Sequence, residues 1–293
     1  MFRLTNVEGR ACLVVGSEDG SFTVDLASWS GDEALGDPMA AIGRHAELHD
    51  LQERLSREGV SPNHPNVVSG RRGPCVPRPS KVFAIGLNYR SHAAELGSPI
   101  PDEPLVFTKF PSCLAGPNDE VHLSGSRVDW EVELVVVIGR RVRHVSPEDA
   151  WEAVAGLTLG QDVSDRDLQF RGSPPQFSLG KSFDTFGPIG PEIVSPDAFD
   201  DPDDIEISCE ISGETMQRAR TSDMIFSVPE LISYLSHVCT LEAGDLVFTG
   251  TPSGVGMGRG RYLRDGDVIV SRAESIGTMR NRCVTGQGAS RDG

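Results

Sequence analysis

Asp129-Trp130-Glu131-Val132-Glu133-Leu134-Val135-Val136-Val137-Ile138-Gly139 is the stretch that decides the reading of this chain. Its second half is apolar and β-branched, the composition of a buried strand. Side chains alternate sides along a strand, so Glu131 and Glu133 share one face while Trp130, Val132 and Leu134 share the other. Two ionised carboxylates side by side at the edge of a core repel each other. Burying either one unpaired costs on the order of several kcal/mol. Positive charge between them relieves both, and a divalent cation is its simplest source.

A third acid lies further along. Asp162 follows the apolar run Leu157-Thr158-Leu159-Gly160-Gln161. With Glu131 and Glu133 it offers three oxygen donors and neither histidine nor cysteine. That donor set suits Mg²⁺, Mn²⁺ or Ca²⁺ and disfavours zinc and copper. Three protein ligands leave positions open for water or a chelating substrate, as Lewis-acid catalysis requires. Spacing alone leaves an alternative open, in which these acids sit on a solvated edge or pair with Arg166, Arg140 or Arg141. Upstream, Gly86-Leu87-Asn88-Tyr89-Arg90-Ser91-His92-Ala93-Ala94-Glu95 places His92 and Glu95 three residues apart, on one face of a short helix. A carboxylate on one ring nitrogen fixes the tautomer and raises the basicity of the other, the arrangement of a base that activates water. The same spacing also occurs as plain surface decoration.

The chain around these motifs is 293 residues long with a formal charge of −16. That balance argues against nucleic acid and against an anionic membrane surface. No apolar run reaches the roughly 18 residues of a membrane helix, and Met1-Phe2-Arg3-Leu4-Thr5 opens no signal peptide. Cys12, Cys75, Cys113, Cys209, Cys239 and Cys283 are scattered without a metal-binding spacing. Free thiols in a reducing cytoplasm are the expectation.

Residues 1–75 are expected to form a small N-terminal α/β unit. It has a hairpin of Ala11–Val15 with Ser21–Leu26 and one helix capped by Asp37, with Met39, Ile42, Ala46 and Leu55 on its apolar side and Gly59 at its end. The proline-rich segment 61–80 reads as a connection. Residues 76–293 form the main unit, opened by a strand at Lys81–Leu87. Helices are expected after Ser146-Pro147-Glu148-Asp149 and after Ser227-Val228-Pro229-Glu230, the second with Leu231, Leu235 and Val238 as its buried stripe. Many short strands and few helices predict an α+β fold built on a folded sheet or roll. Gln287–Gly293 reads as a polar tail. The glycine-rich loop Gly254–Gly260 runs into a turn before a strand, which argues against a dinucleotide fingerprint.

Taken in order, several elements resemble the fumarylacetoacetate hydrolase family over roughly Lys81–Val284. They are Gly86-Leu87-Asn88-Tyr89 with His92 and Glu95, Pro104-Leu105-Val106-Phe107-Thr108-Lys109, the Asp129–Leu134 stretch, Asp162–Gln169, Lys181-Ser182-Phe183-Asp184, Gly187-Pro188, and Phe248–Gly256. The resemblance implies a mixed β-roll, usually as a homodimer. It implies Glu131, Glu133 and Asp162 as ligands of Mg²⁺ or Mn²⁺, and His92 with Glu95 as a catalytic dyad on a short helix that closes over the site. It also implies Lys181 at the substrate's oxo-acid end, and Arg166, Gln169 and Thr251 as substrate contacts. The expected activity is hydrolysis of a carbon–carbon bond in an acylpyruvate-type 2-oxo acid. Oxaloacetate decarboxylation and oxo-enoate isomerisation or hydration are alternatives on the same scaffold.

Overall fold

The computed structural model describes residues 1–16 and 20–285. The turn of the N-terminal hairpin and the tail Gln287–Gly293 lie outside the described residues. The large sheet has eleven strands. Its path runs Val67–Val68, Phe22–Asp25, Arg10–Val15, Arg3–Val7, Gly187–Val194, Val154–Gln161, Val132–Ile138, Leu246–Phe248, Val82–Gly86 and Leu105–Thr108. Leu114–Ala115 pairs with Gly187–Val194 off this path. A second sheet of five strands runs Glu214–Arg220, Glu206–Ile211, Val268–Ala273, Gly277–Thr285 and Val121–Leu123. With few helices beside these sheets, the fold is α+β.

Val132–Ile138 lies inside the large sheet with a core on each side. Val132, Leu134, Val136 and Ile138 join Ile207, Ile211, Ile269 and Met279 of the five-stranded sheet. Val135 and Val137 join Leu4, Leu13, Ile42 and Leu48 of the N-terminal segment. Burial on both faces explains a continuous apolar run in place of alternation. The N-terminal strands continue the large sheet through Arg3↔Val194 and Leu4↔Ile193.

Three helical expectations need correction. The single helix after Asp37 is two, Pro38–Gly43 and His45–Glu58, separated at Arg44. The break rotates the second helix, so Leu48 is buried with Leu55 and Ala46 is exposed. Ser146–Asp149 leads only into a four-residue 3₁₀ turn, Ala150–Ala153. The β-branched Val154 then begins a strand whose ladder with Val132–Ile138 outweighs any further helical turn. The helix Val228–Val238 has the expected capping box at Ser227 and Glu230, but Val238 is 68% exposed. The chain turns to extended backbone at Cys239, and Ile232 takes the core position beside Leu231 and Leu235.

Candidate active site

The register of the large sheet assembles the site at one edge. Val132 pairs with Gln161, so Asp162 arrives beside Glu131, and its amide donates to the Glu131 carbonyl at 2.8 Å. Phe248 pairs with Val135 in antiparallel fashion, which brings Gly250 and Thr251 back to the same edge. Val82–Gly86 runs parallel to Leu246–Phe248, so its C-terminal end also opens there. From that end the chain turns into the helix Arg90–Leu96, which carries His92 and Glu95. Gly187–Val194 starts at the same edge, preceded by the 3₁₀ turn Leu179–Lys181.

Glu131, Glu133 and Asp162 converge, with one carboxylate oxygen from each lying within 4.8 Å of the others. All three are at most 6% exposed. Lys181 Nζ donates to Glu131 Oε2 at 2.7 Å and to Asp162 Oδ2 at 2.6 Å. Arg166 Nη2 lies 2.7 Å from Glu131 Oε1 and 2.7 Å from Asp129 Oδ2. Of the three arginines weighed as partners for the acids, Arg166 therefore approaches one, whereas Arg140 and Arg141 pair at the surface with Glu152 and Glu242. Burial pushes the Glu131 carboxyl up, but Lys181 and Arg166 outweigh it and hold this group well below the usual carboxylate range. Glu133 is different. It accepts from the Gly250 amide at 2.7 Å and has no cationic partner among the described residues. Burial, then the charges of Asp162 and Glu131, push it well up.

Two positions that the sequence reading left without a role organise these groups. Lys109 is fully buried and donates to Asp162 Oδ1 at 2.7 Å, to the Phe186 carbonyl at 3.1 Å and to the Lys181 carbonyl. Asp129 accepts from the amides of Gly256 (2.6 Å), Met257 (2.9 Å) and Trp130 (2.8 Å), and from Arg166 Nε at 2.8 Å. The glycine loop makes one helical turn, Gly256–Arg259, and Asp129 already occupies its first two amides.

His92 Nδ1 lies 3.0 Å from Glu95 Oε2, and the other oxygen of Glu95 accepts from the Gly254 amide at 2.9 Å. With Nδ1 engaged, Nε2 is the free nitrogen of the ring. His92, Glu131, Arg166, Gln169, Lys181 and Thr251 line one cavity of about 280 Å³. Gln169 accepts from Arg166 Nη1 at 2.8 Å. The Thr251 hydroxyl is engaged structurally, donating to the Val132 carbonyl and accepting from Gln217 Nε2, both at 2.8 Å. The nine residues singled out from sequence thus gather at this edge.

The donor set fits a hard dication: three buried carboxylates, oxygen only, one of them without a cationic partner among the described residues. Fold and site together define an α+β protein whose buried carboxylates can hold a hard cation beside an enclosed cavity. The chain belongs to the fumarylacetoacetate (FAA) hydrolase family, whose C-terminal domain matches residues 81–284. It is 46% identical over 216 residues to the fumarylacetoacetate hydrolase domain-containing protein 2 homolog of Dictyostelium discoideum, covering 69% of this chain and 71% of that one. It is 44% identical over 213 residues to the mitochondrial oxaloacetate tautomerase FAHD2A of Homo sapiens, covering 71% and 68%. A maleylpyruvate hydrolase from Sphingobium sp. SYK-6, solved with manganese(II) and pyruvate, superposes with a TM-score of 0.77 at 29% identity, covering 97% of this chain and 100% of that one. The relatives thus include hydrolases and tautomerases. Among the described residues no helix is long and apolar enough to cross a membrane.

Proposed function

We propose that this chain is a Mg²⁺- or Mn²⁺-dependent enzyme, working as a homodimer, that hydrolyses a carbon–carbon bond in a 2,4-dioxo acid. The observation that carries the reading is His92, held by Glu95, opening onto the same cavity as Glu131 and the cations around it. Glu131, Glu133 and Asp162 would hold the ion, which when bound supplies Lewis-acid polarisation of the oxo acid. Lys181 and Arg166 present positive charge to the carboxylate–oxo head and orient it. His92 Nε2 takes a proton from water, and the water oxygen bonds to C4. The C3–C4 bond then breaks, its electron pair passes into the enolate of the pyruvyl fragment, and protonation at C3 completes the products. Glu95 stabilises the imidazolium between these transfers and keeps the ring oriented. With 2,4-dioxopentanoate and Mn²⁺, His92→Ala should lower kcat by about 10²- to 10⁴-fold, read as loss of diketone absorbance with release of pyruvate. Turnover unchanged in that variant, or undiminished under chelator, would sink the reading.

A second reading is favoured by one observation, the name of the 44% identical human relative. In it His92 carries a proton between C3 of oxaloacetate and its C2 oxygen, interconverting keto and enol with no attack by water. Interconversion of oxaloacetate tautomers without formation of cleavage products would select it.

A further inference from the structure

The cavity lining is of two chemical kinds. Its charged lining (His92, Glu131, Arg166 and Lys181) lies at the acidic centre, whereas Leu96, Leu105, Phe107, Phe170, Phe177 and Met257 make much of the remainder. Three aromatic rings connect the two. Lys181 Nζ lies 5.1 Å from the centroid of Phe107. Phe107 packs edge-on against Phe177 with centroids 5.7 Å apart, and Phe177 packs edge-on against Phe170 at 5.7 Å. A molecule whose head lies at Lys181 therefore has an aromatic wall along which to lay its other end.

The charges point the same way. Arg166 and Lys181 are the only Lys or Arg side chains in the described lining. Each already contacts two carboxylates, Asp129 and Glu131 for Arg166, Glu131 and Asp162 for Lys181. A carboxylate at the far end of a substrate would lose part of its hydration against an apolar wall without a cation in the described lining to meet it, which is unfavourable. An alkyl or aryl group there gains about fourfold in affinity per buried methylene.

We infer that the substrate is a 2-oxo monocarboxylic acid with an apolar alkyl or aryl group at the end remote from the oxo-acid head, and that Phe107, Phe177 and Phe170 select it. The inference rests on the 2-oxo-acid reading of the site and holds for cleavage of an acylpyruvate, whereas oxaloacetate, a dicarboxylate, lies outside the substrates it allows. Its test is binding, measured by calorimetry on the Mn²⁺-loaded protein with 2-oxoheptanoate and 2-oxoheptanedioate. These two ligands have the same chain length and differ only in a methyl or carboxylate at the far end. The monocarboxylate is expected to bind at least about tenfold more tightly. Phe177→Arg, which places a cation at the half-buried middle ring of the wall, should reverse the order. Equal affinity, tighter binding of the dicarboxylate, or no binding of either ligand to the wild-type protein overturns the inference. Selective binding without turnover of any 2-oxo acid would reject the catalytic reading and leave this one standing. Turnover with equal affinities would do the opposite.

Discussion

The pairs Glu131 with Glu133 and His92 with Glu95 were legible as neighbours because each depends on local periodicity, whereas Asp162 reaches Glu131 only through the pairing of Val132 with Gln161. A period of two puts Glu131 and Glu133 on one side of a strand, and a spacing of three puts Glu95 beside His92. Lys109 and Asp129 were not readable as parts of the site. A lysine that ends the strand Leu105–Thr108 looks like a solvent-facing stop, and only the arrival of Asp162 and Phe186 from distant segments buries it. Asp129 looks like one more acid at a turn until Gly256 and Met257 fold onto it. Elsewhere a single residue offers a test of charge. Arg10, bonded to Asp25 at 2.5 Å, holds that carboxyl down at about 2, and the same group caps the helix Leu26–Ser30 through the Ser28 amide. A carboxyl lowered on folding stabilises above its unfolded value near 3.9, and that stabilisation is lost as pH falls through about 2. Asp25→Asn keeps a capping oxygen and removes the charge. It should cost about 1–2 kcal/mol in urea unfolding at pH 7, after discounting for the partial exposure of Arg10. The difference from wild type should close between about pH 4 and pH 2.

At the scale of elements, strands with a buried face were easier to place than helices. Gly187–Val194 and Gly277–Thr285 escaped the reading. The first is broken by glycine and proline, and the second alternates exposed polar with buried positions. The helix break at Arg44 and the early stop at Val154 depended on what the neighbouring chain could pack against, which local propensity does not report. The return of the chain from Leu246–Phe248 to the acids depends on Gly250, whose φ is +98°. A Cβ there would stand 2.8 Å from Asn88 Cβ and 3.0 Å from the Ile85 carbonyl. Asn88 cannot easily yield, because its side chain bonds to Phe226 and to the Thr249 carbonyl. Gly250→Ala should therefore destabilise the protein by about 1–3 kcal/mol, measured as a lower urea midpoint. It should also weaken the amide contact to Glu133.

For the molecule as a whole, the α+β roll was legible from many short strands and few helices, but the way the N-terminal strands join the large sheet of the main unit was not. Residues 1–75 had every sign of a small separate unit. Their strand Arg3–Val7 nevertheless pairs with Gly187–Val194, and Leu4, Leu13, Ile42 and Leu48 complete the core under Val135 and Val137. Pairings between residues almost two hundred positions apart leave no local trace in sequence. A cation that binds only the folded chain should stabilise it by about 2.7 kcal/mol at a hundred times its Kd. Mn²⁺ should accordingly raise the thermal midpoint of the wild-type protein, and Asp162→Ala should abolish that rise. An equal rise in both proteins would place the ion elsewhere.

The aromatic wall has a consequence for how such a protein can change. The acids sit where the backbone ladder leaves little freedom, while Phe170 is 43% exposed and Phe177 half-buried. Replacements at these two rings disturb little of the core, so new chemical tastes can arise there by single steps while the reacting end keeps its shape. A common chassis with an exchangeable front would then serve many acids without having to be reinvented for each.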